Sequence, residues 1–143
     1  MRTLIALILL GALVACTKPA APQPPTTEET KPEGLAAIPP ADRTQYPNFH
    51  NLKDWKNPYL VIREDGIGFV DSANSEVRIL KPDDVIPVLT ALPDTAWPYG
   101  LVVMVGQVDP PNPTEETKAQ LRKNRGLLMG TLKESKVQVY EAP

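Results

Sequence analysis

Apolar residues follow three patterns along the chain: one unbroken run at the start, short stretches with strand-like spacing, and two stretches with helical spacing. Tyr59-Leu60-Val61-Ile62-Arg63 reads as a strand, and Glu64-Asp65-Gly66 as a turn whose glycine tolerates positive φ. The chain then returns over residues 67–71 and turns again at Ser72-Ala73-Asn74-Ser75. Glu76-Val77-Arg78-Ile79-Leu80 alternates polar and apolar, as a half-buried third strand does. A three-stranded meander is the simplest description.

Val85, Val88, Leu89 and Leu92 follow at i, i+3, i+4 and i+7, which predicts a short helix capped by Asp83 or Asp84, with Pro87 in its first turn. Tyr99-Gly100-Leu101-Val102-Val103-Met104-Val105-Gly106 is nearly all apolar, the pattern of a strand covered on both faces and placed at the sheet centre. Asn112-Pro113-Thr114-Glu115 starts a second helix, with Asn112 as cap, Pro113 at the first helical position and the helix running to about Glu134. It should bury Ala119, Leu121, Leu128 and Leu132, with help from Met129, and its Gly126 and Gly130 call for close packing against the sheet. Lys136-Val137-Gln138-Val139-Tyr140 closes the fold as a last strand. The expected fold is therefore α+β: a two-layer sandwich with a mixed sheet and both helices on one face, in the order β-β-β-α-β-α-β, with right-handed crossovers joining parallel neighbours. An exposed sheet edge or face is where a partner would sit.

The unbroken run covers residues 4–15 after Met1 and Arg2. A membrane-spanning helix needs about 20 apolar residues, and Thr17 and Lys18 end this run well short of that. It has the length and flanks of a cleavable signal peptide. Leu13-Val14-Ala15-Cys16 resembles the bacterial lipobox, in which small residues precede a cysteine that is lipidated on sulfur and becomes the new N-terminus. The resemblance implies cleavage after residue 15, membrane attachment through Cys16 and, because Thr17 is not aspartate, an outer-membrane site facing the periplasm where the source has two membranes. Cys16 is the single cysteine, so no disulfide can form within the chain and the domain must be held by its core.

Residues 17–40, TKPAAPQPPTTEETKPEGLAAIPP, hold seven of the 17 prolines and few large apolar side chains. Such a composition cannot bury enough surface to offset chain entropy, and its prolines favour an extended polyproline form. The expected organisation is a signal at 1–15, a lipidated cysteine and tether over 16–40, and one small domain over 41–143. Fifteen Lys and Arg against 17 Asp and Glu leave no basic excess for nucleic acid.

Candidate chemistry is sparse. His50 is the only histidine, and no HxxxH, HExxH or GxSxG motif accompanies it; an enzyme or small-ligand site would have to use it with nearby acids. Glu64, Asp65, Asp71, Asp83 and Asp84 read as turn and cap residues, with neither glycosidase nor calcium-loop spacing. Gly66-Ile67-Gly68 lacks the remainder of a phosphate-binding glycine motif. No metal, cofactor or catalytic residue is expected. Trp97-Pro98-Tyr99-Gly100 is the most distinctive stretch; Trp97 and Tyr99 either pack the end of the sheet or offer an aromatic contact to a partner. Lys118, Arg122, Lys123 and Arg125 make one side of the second helix basic, either a solvated face or a site attracted to anionic wall polymer such as peptidoglycan.

The element order and the segment Pro98-Tyr99-Gly100 with Val102 and Val103 resemble the periplasmic domain of the ExbD/TolR family of envelope energy-coupling proteins. In that family the Pro-Tyr-Gly begins a helix, whereas here it leads into an apolar strand, so the resemblance implies a fold and no functional residues. The expected function is that of a lipid-anchored envelope protein presenting a small non-enzymatic domain to another envelope protein, or alternatively to peptidoglycan through the basic helix.

Overall fold

The computed structural model describes residues 33–46, 54–70 and 76–142, all within the unit Lys31–Pro143. Cys16, His50 and Asp71 lie outside the described residues, as does the stretch 48–52 that leads into the domain.

The β-branched run forms β1 (Tyr59–Arg63), the turn at 64–65 reverses it into β2 (Gly66–Val70), and β3 (Val77–Leu80) completes an antiparallel meander. A single 3-10 turn (Pro82–Asp84) leads into α1 (Val85–Thr90). The apolar run becomes β4 (Val102–Gln107), followed by α2 (Glu115–Glu134) and β5 (Gln138–Glu141). The protein is α+β, with a five-stranded mixed sheet in the order β3-β2-β1-β4-β5.

Several local expectations change. The continuous run does not lie at the sheet centre; β1 does, with β4 parallel to it and β5 parallel to β4. The chain leaving β3 crosses the meander to place β4 beside β1, so the first crossover does not join neighbours. A strand as apolar as β4 requires two hydrogen-bonded neighbours, and β1 had the free edge. Of the two acids expected to cap α1, Asp84 stands at the cap position but its side chain makes no cap hydrogen bond, and Asp83 lies within the 3-10 turn. The cap of α2 is Thr114, whose hydroxyl accepts from the Thr117 N–H at 3.1 Å, while Asn112 takes a left-handed φ of 60° in the turn before it.

Strand alternation splits the core in two. Leu60, Ile62, Ile67, Phe69, Val103 and Val105 point to the face covered by α1 and α2, where they meet Val85, Leu89, Leu121, Leu128 and Leu132. The buried stripe on α2 is Thr117, Leu121, Asn124, Leu128 and Leu132, one position every three to four residues. Ala119 is off this stripe and exposed. Gly126 and Gly130 are also exposed, and a Cβ at either would meet nothing within 4 Å, so close packing is not why they are glycines. The two polar members of the stripe hold the first hairpin: Asn124 Nδ2 donates to the Arg63 carbonyl at 2.8 Å and Thr117 Oγ1 to a Glu64 carboxylate oxygen at 3.1 Å.

The second face carries Val102 and Met104 under a layer of aromatic rings: Tyr46, Trp55, Tyr59, Tyr99 and Tyr140. All four tyrosines of the chain are in this layer. Trp55 stacks on Tyr140 with 5.6 Å between ring centroids and 14° between planes, and Tyr46 meets both edge-on. Tyr59 lies over Gly106, where a Cβ would collide with the phenol.

The folded part begins ahead of the expected boundary at residue 41. Gly34–Ala37 forms a 3-10 turn, and Ile38 is buried in the helix-side core with Leu35 packed against it. The Leu101 N–H donates to the Pro39 carbonyl at 2.8 Å and the Asp42 N–H to the Tyr99 carbonyl at 3.0 Å, so residues 39–42 run alongside 99–101. Gly100, at φ 77°, has the Pro39 and Pro40 backbone where a Cβ would be, which only glycine accommodates. The few apolar residues in an otherwise tether-like composition, Leu35 and Ile38, are the ones that dock.

Candidate contact surface

The structure separates the residues that the sequence placed together as possible contact groups. Trp97 is only 4% exposed and packs in the helix-side core. Its indole N–H is buried with no hydrogen-bond partner among the described residues, an arrangement that costs about 1–3 kcal/mol. Tyr99, two residues on, belongs to the aromatic layer of the opposite face and donates its hydroxyl to the Asp54 carbonyl at 3.2 Å. Burial, followed by the Asp54 carboxylate nearby, raises its pKa. Trp97 therefore cannot offer a surface contact, and the pair forms no shared aromatic platform. The 97–100 turn sends each ring to its own core.

Asn57 holds that turn in place, a role its position before a proline did not reveal. Its side chain is buried; Nδ2 donates to the Gly100 and Val102 carbonyls, both at 2.8 Å, and Oδ1 accepts from the Tyr99 N–H at 3.0 Å. An asparagine with three such bonds substitutes for a missing backbone partner at the entry to β4.

The basic side of α2 is partly neutralised. Lys118 Nζ lies 2.7 Å from Glu115, and Arg125 reaches Glu141 on β5 at 2.8 Å. Both pairs are solvent-exposed, so each contributes little to stability, yet they halve the positive charge available to an anionic ligand. Arg122 and Lys123 are exposed.

The carboxylates singled out in the sequence are scattered among structural roles. Asp65 pairs with Arg63 at 2.9 Å, and that hydrogen bond holds its pKa below the usual carboxylate value. Glu64 accepts from Thr117. Among the described residues no group of three or more His, Cys, Asp or Glu side chains is placed to hold a metal ion. A groove of about 330 Å³ runs beneath the Gly34–Ala37 turn, lined by Ile38, Leu89, Leu92 and Trp97; the buried indole nitrogen has no accessible surface there to offer.

The exposed surface does contain one contiguous apolar feature. Large hydrophobic side chains exposed among the described residues are Val77, Ile79, Val108 and Leu127, and the first two, at 54% and 42% exposed, lie two apart on the edge strand β3. They point to the same face as the aromatic layer but lie at the other end of the sheet. Gly68 sits between Ile79 and Val61 across the strands, and Val70 opposite Val77. Val77 and Ile79 are exposed with Val70 half-buried beside them, whereas Val61 is buried, and a Cβ at Gly68 would stand 3.1 Å from Val77 Cγ1 and 3.3 Å from Arg63 Cδ. Sequence alternation marks 76–80 as half-buried; β3 being the last strand of the sheet, with no described residue hydrogen-bonded beyond it, is what turns the outer half into a surface.

Among the described residues, fold and surface define a small α+β domain with two core clusters and an edge strand that exposes Val77 and Ile79. No protein-family model, curated protein or solved structure matches the chain. No helix among the described residues is long and apolar enough to cross a membrane.

Proposed function

We propose that this is a lipid-anchored cell-envelope protein, non-enzymatic, that presents its α+β domain to another envelope protein through the β3 edge. The observation that carries the docking part is the exposure of Val77 and Ile79, at 54% and 42%, on an edge strand beside the half-buried Val70. A strand edge with no hydrogen-bonded strand beyond it among the described residues, and apolar side chains beside it, are the two components of strand-addition recognition. The anchor is supported by the sequence alone: Leu13-Val14-Ala15-Cys16 after a short apolar run, then a proline-dense segment long enough to hold a domain off a bilayer.

Peptidoglycan binding through α2 is the weaker reading, since Lys118 and Arg125 already have carboxylate partners. The docking proposal is tested by placing a photo-crosslinking residue at Ile79 in cells, with one at Lys123 as control. Adducts are expected at 79 and not at 123; silence at 79 removes the edge as the contact. The anchor is tested by metabolic labelling with an acyl probe, which Cys16→Ser must abolish.

A further inference from the structure

We infer that residues 34–41 are a strap that opens and recloses as a unit on an otherwise folded domain, hinged at residues 42–45. Its opening uncovers the groove lined by Leu89, Leu92 and Trp97.

The closed position is specified at two points by missing side chains. Gly34, at φ 63°, lies against the last residue of α1, where a Cβ would stand 2.9 Å from Thr90 Cγ2. Gly100, at φ 77°, has the Pro39 and Pro40 backbone where its own Cβ would be. Both glycines adopt a conformation that other residues rarely take, and both do so where the strap touches the domain. The hinge is tied separately. The Asp42 carboxylate accepts from the Thr44 N–H at 2.9 Å, the Thr44 hydroxyl at 2.6 Å and the Gln45 side-chain amide at 2.8 Å, and the Gln45 N–H donates to the Asp42 carbonyl at 3.1 Å. Tyr46 is then buried among the rings of the other face. The turn and Tyr46 can therefore stay in place when the residues before them leave.

Ahead of that hinge the strap is held by little. Of residues 34–41 only Ile38 is buried; Leu35 and Ala41 are half-buried and the others exposed. Among the described residues, one main-chain hydrogen bond joins the strap to the rest of the domain, from the Leu101 N–H to the Pro39 carbonyl at 2.8 Å. Strands β1, β2 and β4, by contrast, are each paired on both sides. The closed strap also leaves a groove of about 330 Å³ beneath it, and Trp97, which lines that groove, keeps a buried indole N–H without a partner. Water entering on opening would pair that N–H and remove its cost. Few buried contacts, a single main-chain bond and a cost relieved on release are what a low-energy local opening needs. Opening also frees eight residues, which in extended polyproline form add about 25 Å to the chain ahead of the domain. On the anchored reading this is a reserve of tether length; the opening itself does not depend on the anchor.

The experiment measures amide hydrogen exchange by NMR on the protein purified from its own cells. The Leu101 N–H reports the strap, because Pro39 is its acceptor, and the Met104 N–H, which donates to the Pro58 carbonyl at 3.1 Å, reports the sheet. After correction for intrinsic rates, Leu101 is expected to exchange about tenfold or more faster than Met104, with a weaker dependence on urea. A lock supplies the second measurement. Gly34→Cys with Thr90→Cys places two thiols within reach of a disulfide. Once oxidised, this chain should bring Leu101 to within about twofold of Met104, and reduction should restore the difference. Leu101 exchanging as slowly as Met104 in the unaltered chain would make the strap an inseparable part of the core and overturn the proposal. So would fast exchange at Leu101 in the locked chain, or failure of the two thiols to join, which would contradict the closed position. None of these results touches the anchor or the β3 edge, which are tested by acyl labelling and by the crosslinker at 79.

Discussion

The two faces of the sheet bury their residues by different means. On the helix side, aliphatic residues from β1, β2 and β4 meet a regular stripe on α2, and each contribution can be located by counting along the chain. On the other side no α-helix is present among the described residues, and five aromatic side chains from separate segments, at 46, 55, 59, 99 and 140, interlock over Val102 and Met104. The aromatic layer covers the β1, β4 and β5 end of its face, and at the β3 end Val77 and Ile79 are exposed. A few large rings substitute for a helix, because each ring buries more area than an aliphatic side chain and adds favourable edge-on and stacked contacts. The difference teaches that one face is closed by a periodic stripe on a helix and the other by rings that distant segments bring together.

Whether the aromatic layer is a true second core is settled by matched truncations. Trp55→Ala should destabilise the domain by about 3–5 kcal/mol and Leu128→Ala by about 2–5 kcal/mol in urea unfolding; a cost under about 1 kcal/mol at Trp55 would reduce the layer to a surface cover. Asn57→Ala should cost about 2–3 kcal/mol, since two carbonyls and one N–H lose their partner in a buried place. Asn57→Asp should be worse, because it turns the donor toward Gly100 and Val102 into a carboxylate oxygen facing two carbonyl oxygens.

The faces should also respond differently to pH. Tyr59 is half-buried and its pKa is raised by burial from the ordinary 10.0. The folded state therefore holds the phenolic proton more tightly than the unfolded state, so this stability is fully present below about pH 10 and is lost as pH rises through the folded pKa. Tyr99 shifts the same way. Alkaline unfolding followed by tyrosinate absorbance and by Trp55 fluorescence should start on the aromatic face, and Tyr59→Phe should move the loss to higher pH. The smallest expected effect has the opposite sign: Gly126→Ala and Gly130→Ala should each raise stability by about 0.5–1 kcal/mol, because a Cβ there meets nothing within 4 Å. A loss of stability would mean that the exposed side of α2 is covered in the working protein.

Much of the helix-side half was legible from the sequence. The strand-like run at 59–63, the alternation at 76–80, the apolar run before Gly106 and the spacing of Leu121, Leu128 and Leu132 are all local patterns. The aromatic layer carries none. Tyr46, Trp55 and Tyr140 are separated by up to nearly the whole domain, and nothing in the residues around any of them says which ring it will touch. Trp97 and Tyr99 show the same limit at short range. Two residues apart, they were read as one feature, but the positive φ at Gly100 and the three bonds from Asn57 send them to opposite faces. Leu35 and Ile38 were masked by the prolines around them; two apolar side chains are too weak a pattern to mark docking until the groove beside Leu89 and Trp97 exists to receive them.

The sequence by itself determined most of the strands and helices and the α+β class, because spacing and turn chemistry are properties of neighbouring residues. Only the tertiary structure decided that β1 is the central strand, that β3 is an edge, and that rings from five segments close half of one face. Those outcomes depend on which strand edges remain free and which surfaces meet after the chain has crossed itself, a competition among distant residues that no local pattern encodes.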